Sequence, residues 1–289
     1  MNRAARIVPA AAVAALFVFA QDFSSVTIQK LAEGYQFTEG PVWSKDGFLV
    51  FSDTPSDRLI KWISGRAAEA LRADAHGPSG NAFDSQGRLY TCETRERRVV
   101  RADKDKIEVV ADRWEGKRLN APNDIVVSAN GHVYFTDPAF GGQDDRRELD
   151  FYGVYHVPPK GPMTLVAKPA GRPKGIALSP NGRVLYVGNA DEHNVRAYDV
   201  ARDGATSNER LLISGIAGVP GGICVDLQGN LFVAADGVAI YTPQGRLLHV
   251  LEVNHRVSNC SFGGMDSRFL FLTEGSAVYR VHLDAKGAN

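Results

Sequence analysis

One phrase of strand, polar turn and strand is written six times along the chain, and this repetition constrains the fold more than any other feature. The copies are Gly40–Asp53, Gly80–Glu93, Asn123–Asp137, Lys174–Val187, Gly221–Ala234 and a degenerate Ser258–Glu274. They start roughly 40–50 residues apart, the period of a four-stranded propeller blade. The turns carry Asp-Gly, Gln-Gly or Asn-Gly because a tight hairpin needs positive φ, which Gly and Asn adopt with least strain. Six blades closed in a ring predict an all-β fold, a six-bladed β-propeller over residues 21–289, with no stretch left for a second core. A propeller brings its innermost strands together on the axis, so the axial residues are where chemistry is sought.

Residues 1–20 read differently. Asn2-Arg-Ala-Ala-Arg6 is a basic segment, Ile7 to Ala20 is almost unbroken apolar, and Val18-Phe-Ala20 offers small residues before Gln21. About 14 apolar residues are short for a membrane span, so a cleaved signal peptide is expected, with an N-terminal anchor as the alternative. Export to the periplasm or the medium follows, with no membrane contact after cleavage. The 33 basic and 33 acidic residues balance, so neither a polyanion nor an acidic membrane is favoured as partner, and a basic nucleic-acid surface is excluded. Cys92, Cys224 and Cys260 lie in predicted inner strands of different blades, which argues for buried thiols rather than a disulfide framework. The seven histidines form no Ser/His/Asp constellation, and no Cys/His cluster suggests zinc. A monomer is expected.

Within the third copy, Ile125–Val127 and Val133–Thr136 read as the inner pair of strands, and Gly153–Val157 with Met163–Ala167 as the outer pair. The sixth copy has only Phe269–Leu272 and Val278–Leu283 after its first strand, so Val26–Lys30 is expected to supply the fourth. Such a mixed blade latches the two termini and removes exposed sheet edges. Pro138–Tyr152, the longest insertion near an inner strand, is either a lid over the axis or a plain surface loop.

Aligning the copies on Trp43, Phe83, Val127, Leu178, Val225 and Phe262 and stepping back four residues gives Glu39, Ser79, Asn123, Lys174, Gly221 and Ser258. Equivalent positions in a closed ring face one another, so this set should line one mouth of the tunnel. Core packing alone would not select Glu, Asn and Lys there, because burying charge is costly unless it is paired. The competing reading is a water-filled pore whose polar lining solvates backbone ends.

Several phrases resemble the gluconolactonase/regucalcin (senescence-marker-protein) family of six-bladed propellers: Glu39-Gly-Pro-Val-Trp43, Pro122-Asn-Asp-Ile-Val-Val127, Tyr134-Phe-Thr-Asp-Pro138, Ile176-Ala-Leu-Ser-Pro180 and Phe262-Gly-Gly264. The resemblance implies opening of sugar lactones and similar cyclic esters, with one divalent cation held on the axis by a Glu, an Asn and an Asp, and a second Asn on the substrate. It places the Glu at Glu39 and the substrate-side Asn at Asn123. The ligand Asn falls at Lys174 and the Asp at Gly221, so two family ligands are replaced. Glu39 and Asn123 alone cannot satisfy calcium or magnesium, and an ammonium at a ligand position repels the cation. No cofactor is therefore expected; were the family site retained in altered form, it would hold calcium or zinc at Glu39 and Asn123. Lys174 is expected to reach Glu39 and stand in as the positive charge.

Glu39, Asn123 and Lys174 are thus the candidate catalytic residues: Lys174 stabilising an oxyanion, Glu39 as base, Asn123 orienting the carbonyl. Asn123, Asp124, Ser79 and Ser258 are the candidate contacts to a small-molecule substrate. Three functions fit: a metal-independent lactonase-like hydrolase, a non-catalytic propeller binding a sugar- or acid-derived ligand, and a carbonyl enzyme in which Lys174 itself reacts. Ser79 lacks the Gly-x-Ser-x-Gly elbow of a nucleophilic serine.

Overall fold

A computed structural model of the chain describes Phe23, residues 26–104 and residues 106–288, without the side chains of residues 254 and 255. The expected signal segment lies outside these residues. Five blades are antiparallel four-stranded sheets, running from Thr38–Ser44 to Glu69–Arg72, Pro78–Phe83 to Lys106–Ala111, Ile125–Val127 to Thr164–Ala167 and Pro173–Leu178 to Thr206–Ile213 for the first four. The sixth consists of Asn259–Gly263, Phe269–Glu274, Ala277–His282 and the N-terminal strand Ile28–Glu33, which pairs antiparallel with Ala277–His282. The latch expected from the sequence therefore forms, two residues further along than Val26. Blade 5 departs from the pattern, with strands Ile223–Val225, Leu231–Tyr241 and Leu247–Arg256. Its long middle strand pairs first with the inner strand (Ile223 with Val233) and then, past Asp236-Gly237, with the outer one (Val238 with Leu251).

The inner strands explain why so many copies read Leu-Val-Phe or Leu-Phe-Val rather than alternating polar and apolar. Side chains on a strand point to opposite faces in turn, and each blade is covered on both faces by its neighbours. In blade 1, Leu49, Phe51 and Ile60 pack against Phe271 and Val278 of blade 6, whereas Val50 and Leu59 pack towards Leu89 of blade 2. The same division repeats around the ring, giving an apolar cluster at each interface between adjacent blades. Cys92 sits on the second strand of blade 2, not on an innermost one, whereas Cys224 and Cys260 are on innermost strands.

The Pro138–Tyr152 insertion carries a 3-10 turn at Gly141–Arg146 and is pinned at several points. Arg97 donates to the Arg146 carbonyl at 3.0 Å, the Arg118 backbone amide to Glu148 at 2.8 Å, and the Tyr152 hydroxyl to Asp144 at 2.9 Å.

The interface of blades 3 and 4 carries a histidine pair beside its apolar side chains. His132 Nδ1 lies 2.8 Å from His156 Nε2, and the Tyr134 ring stacks on His156 with centroids 4.8 Å apart. Burial holds both imidazoles below their ordinary pKa; His156, also repelled by His132, is brought down to about 4, with Asp203 opposing the shift. A folded-state value below the unfolded one means that the unfolded chain takes up the proton first, so this pair costs stability as pH falls from about 6.5 to about 4. In His156→Gln, the dependence of unfolding free energy on pH should flatten across that window, as read from urea melts at successive pH values. An unchanged slope would dissociate the pair from acid lability.

Candidate functional site

Each inner strand begins at the same end of the ring, and there the aligned set comes together. Blades 1 and 4 are opposite one another in a six-membered ring, so a contact between their first strands spans the axis. That contact is an ion pair: Lys174 Nζ lies 2.9 Å from Glu39 Oε1. Both residues are buried, Glu39 at 3% and Lys174 at 8% exposure. The second Glu39 oxygen accepts from the Gly40 amide at 3.1 Å, and Lys174 also donates to the Ser258 carbonyl at 3.4 Å.

The remaining members divide by what their side chains are doing. Asn123 is half-buried; its amide donates to the Thr136 carbonyl of blade 3 at 2.9 Å, and its carbonyl accepts from the Gly80 amide of blade 2 at 2.7 Å. Ser79 is buried, with its carbonyl taken by the Ser52 hydroxyl at 2.7 Å. The Ser258 hydroxyl is committed to structure: it donates to the Thr38 carbonyl at 2.8 Å and contacts Thr273 Oγ1 at 2.8 Å. At Gly221, where the resemblance would place a carboxylate, no side chain of another acid fills the space. A Cβ built there would lie 2.2 Å from the Ser258 carbonyl oxygen, so neighbouring backbone fills the position. Among the described residues, no three His, Cys, Asp or Glu side chains converge as a metal-binding group.

One residue further along each strand lies a second layer that the alignment did not single out. Four of its members are glycines, and the other two, Asp124 and Asn259, face each other across the ring, with Asn259 Nδ2 donating to Asp124 Oδ1 at 3.3 Å. Asp124 Oδ2 accepts from the Ile176 amide at 3.2 Å. Desolvation, with repulsion from Glu39 second, raises the Asp124 carboxyl to about 7 against these hydrogen bonds. This layer is the floor of a cavity of about 950 Å³ that opens at the other end of the tunnel, among the turns joining first and second strands. Gly40, Asp124 and Asn259 line that cavity, whereas Glu39, Asn123, Lys174 and Ser258 do not. Asn259 was missed because its copy is the degenerate one; its only signal is its place one residue after Ser258.

Buried acids also close the second strands. Asp53 accepts from the amides of Gln36 and Phe37 at 3.0 and 3.2 Å, and Asp137 from Asn120 and Ala121, both at 2.8 Å. Their carboxylates hold incoming loops and are not free for chemistry. Burial nonetheless raises Asp137 to about 7.

The family described as SMP-30/Gluconolactonase/LRE-like region matches residues 37–276. A gluconolactonase of Zymomonas mobilis is 33% identical, with 91% of this chain and 83% of that protein aligned. A solved gluconolactonase from Xanthomonas campestris superposes with a TM-score of 0.84 at 32% identity, covering 90% of each chain. A solved regucalcin from Agrobacterium tumefaciens, described as a calcium-binding protein, shares the fold with a TM-score of 0.76 at 18% identity, covering 91% of this chain and 95% of that one.

Gly221→Ala should lower stability by about 1–3 kcal/mol through its clash with the Ser258 carbonyl, read as a lower Tm; an unchanged Tm would show that the backbone yields freely there. Asp124 retains its proton when folded beyond the point where the unfolded chain releases it, so its contribution to stability is full below about pH 4 and lost as pH rises to about 7. Asp124→Asn should remove part of that decline and Asp137 should carry the rest; an identical slope in the variant would refute the assignment.

Proposed function

Because the chain belongs to the SMP-30/gluconolactonase/LRE-like family over residues 37–276, we propose that it is a lactonase-like hydrolase that opens a sugar lactone or similar cyclic ester at the axial mouth, with Lys174 rather than a metal as the positive charge. The observation that carries this reading is the buried Lys174–Glu39 pair at 2.9 Å. The donor set does not fit a hard cation: one carboxylate is already paired with an ammonium, and the second family carboxylate is a glycine. No step is therefore drawn through a metal.

In this mechanism the substrate carbonyl lies between the Lys174 ammonium and the Asn123 carboxamide. Water adds to the carbonyl carbon and passes its proton to Glu39. Lys174 then stabilises the oxyanion, which a buried ammonium does far better than one in water. Collapse breaks the ring C–O bond, the departing oxygen takes the proton, and a hydroxy acid leaves. Asp124, near pH 7 in its protonation, is suited to exchanging a proton with this pair. The basic and apolar N-terminal segment further supports export, so the substrate would be met outside the cytoplasm.

The decisive measurement is hydrolysis of a panel of sugar and aliphatic lactones by chelator-stripped protein, with and without added divalent cation. Turnover indifferent to metal is expected, and Lys174→Ala should lower kcat/KM by roughly 10²–10³-fold, with Lys174→Arg recovering part of the loss. Turnover that requires added metal would overturn the lysine mechanism. No turnover on any lactone would leave a binding module in the same pocket.

A further inference from the structure

Cys224 and Cys260 stand on the innermost strands of adjacent blades, and their sulfur atoms are 2.9 Å apart. That is closer than two sulfurs held merely by packing, and the next step in approach is a covalent bond. Both cysteines line the 950 Å³ cavity at the far end of the tunnel. Cys92, also a free thiol, is fully buried on a second strand and does not line it. The fold thus places two of the three thiols in mutual contact and in reach of a small molecule, and shields the third.

We propose that Cys224 and Cys260 form an oxidisable pair whose disulfide ties blade 5 to blade 6 through the tunnel wall. The oxidant is a low-molecular-weight disulfide entering the cavity. One protein thiolate attacks a sulfur of that molecule and displaces one of its halves as a thiol; the second protein thiolate attacks the mixed disulfide and releases the other half. Two electrons pass to the small disulfide, the two protons leave the protein thiols, and one intramolecular S–S bond remains. Burial pushes the Cys224 thiol well above its usual pKa, so closure is slow at neutral pH and accelerates in alkali. The bridge encloses residues 224–260, with two strands of blade 5, and joins them to blade 6, the blade that also holds the N-terminal latch strand. It therefore constrains the unfolded chain around the closing blade.

The test treats the folded chain with 2-hydroxyethyl disulfide, removes the reagent, and measures intact mass, denatured thiol titre and Tm. A loss of about 2 Da with the titre falling from three thiols to one is expected. Cys92→Ala should fall from two thiols to none, and Cys224→Ser should form no bridge. The bridged protein should melt on the order of 5 °C higher, reversibly on reduction. Three persisting thiols, a stable mixed adduct or a bridge involving Cys92 would each overturn the proposal. A bridge without a rise in Tm would remove its stapling role.

Discussion

Where the last blade meets the first decides every distance on the axis. Thr38, the first residue of blade 1, donates its amide to the Gly275 carbonyl at 2.7 Å and its hydroxyl to the Ala277 carbonyl at 2.9 Å, and its own carbonyl accepts from the Ser258 hydroxyl. Each such bond contributes only about 0.5–1.5 kcal/mol net. Together with the latch strand, which pairs with Ala277–His282 on the outer side of blade 6, however, they tie the last blade to the first. A ring closed at six blades brings the inner strands into backbone contact. A Cβ on Gly40 would lie 2.1 Å from the Ser79 carbonyl, and one on Gly175 2.2 Å from the Gly221 carbonyl. Only glycine fits at such approaches, so the few axial positions that do carry side chains define the site.

The Glu39–Lys174 pair is the costliest of these. Taking two charges out of water is repaid only by good geometry and further hydrogen bonds, which the Gly40 amide and the Ser258 carbonyl supply. Removing one partner would leave the other charged and buried, at about 3–5 kcal/mol. The pair also reaches beyond itself. After burial, the Glu39 charge is the next influence that raises the Asp124 carboxyl one layer below, so the two layers interact although they belong to blades 1 and 3.

The blades were legible because a period of strand, turn and strand survives substitution, and the latch because the sixth copy is one strand short. The Glu39–Lys174 contact was legible for the same reason: equivalent positions in six copies must face one another, which sets those two residues across the axis. The second layer was not legible. Asp124 and Asn259 meet across 135 residues of sequence, and nothing local in Ser258-Asn259-Cys260 marks the amide as a partner. Nor does spacing reveal that two thiols on neighbouring strands touch: Cys224 and Cys260 stand three and two residues past their axial positions, and only the stagger between blades aligns them. Gly221 shows a third limit, since a missing side chain suggests a void where the structure has a carbonyl.

On the proposed reading, the two departures that the resemblance implies at Lys174 and Gly221 belong together. The pattern implied by the resemblance sets two carboxylates against a divalent cation, and the charges cancel. Replacing the ligand amide by Lys174 alone would put an ammonium beside the cation and repel it. Replacing the aspartate by Gly221 alone would leave a dication over a single carboxylate. Made jointly, they leave one carboxylate facing one ammonium, and on the proposed reading that pair balances the charge on the axis. A lysine is not the equivalent of the metal: it carries one charge, on a flexible stem, with three directional donors. Two of those directions are spent on Glu39 and the Ser258 carbonyl. In the proposed mechanism the third is the one that meets the substrate carbonyl oxygen.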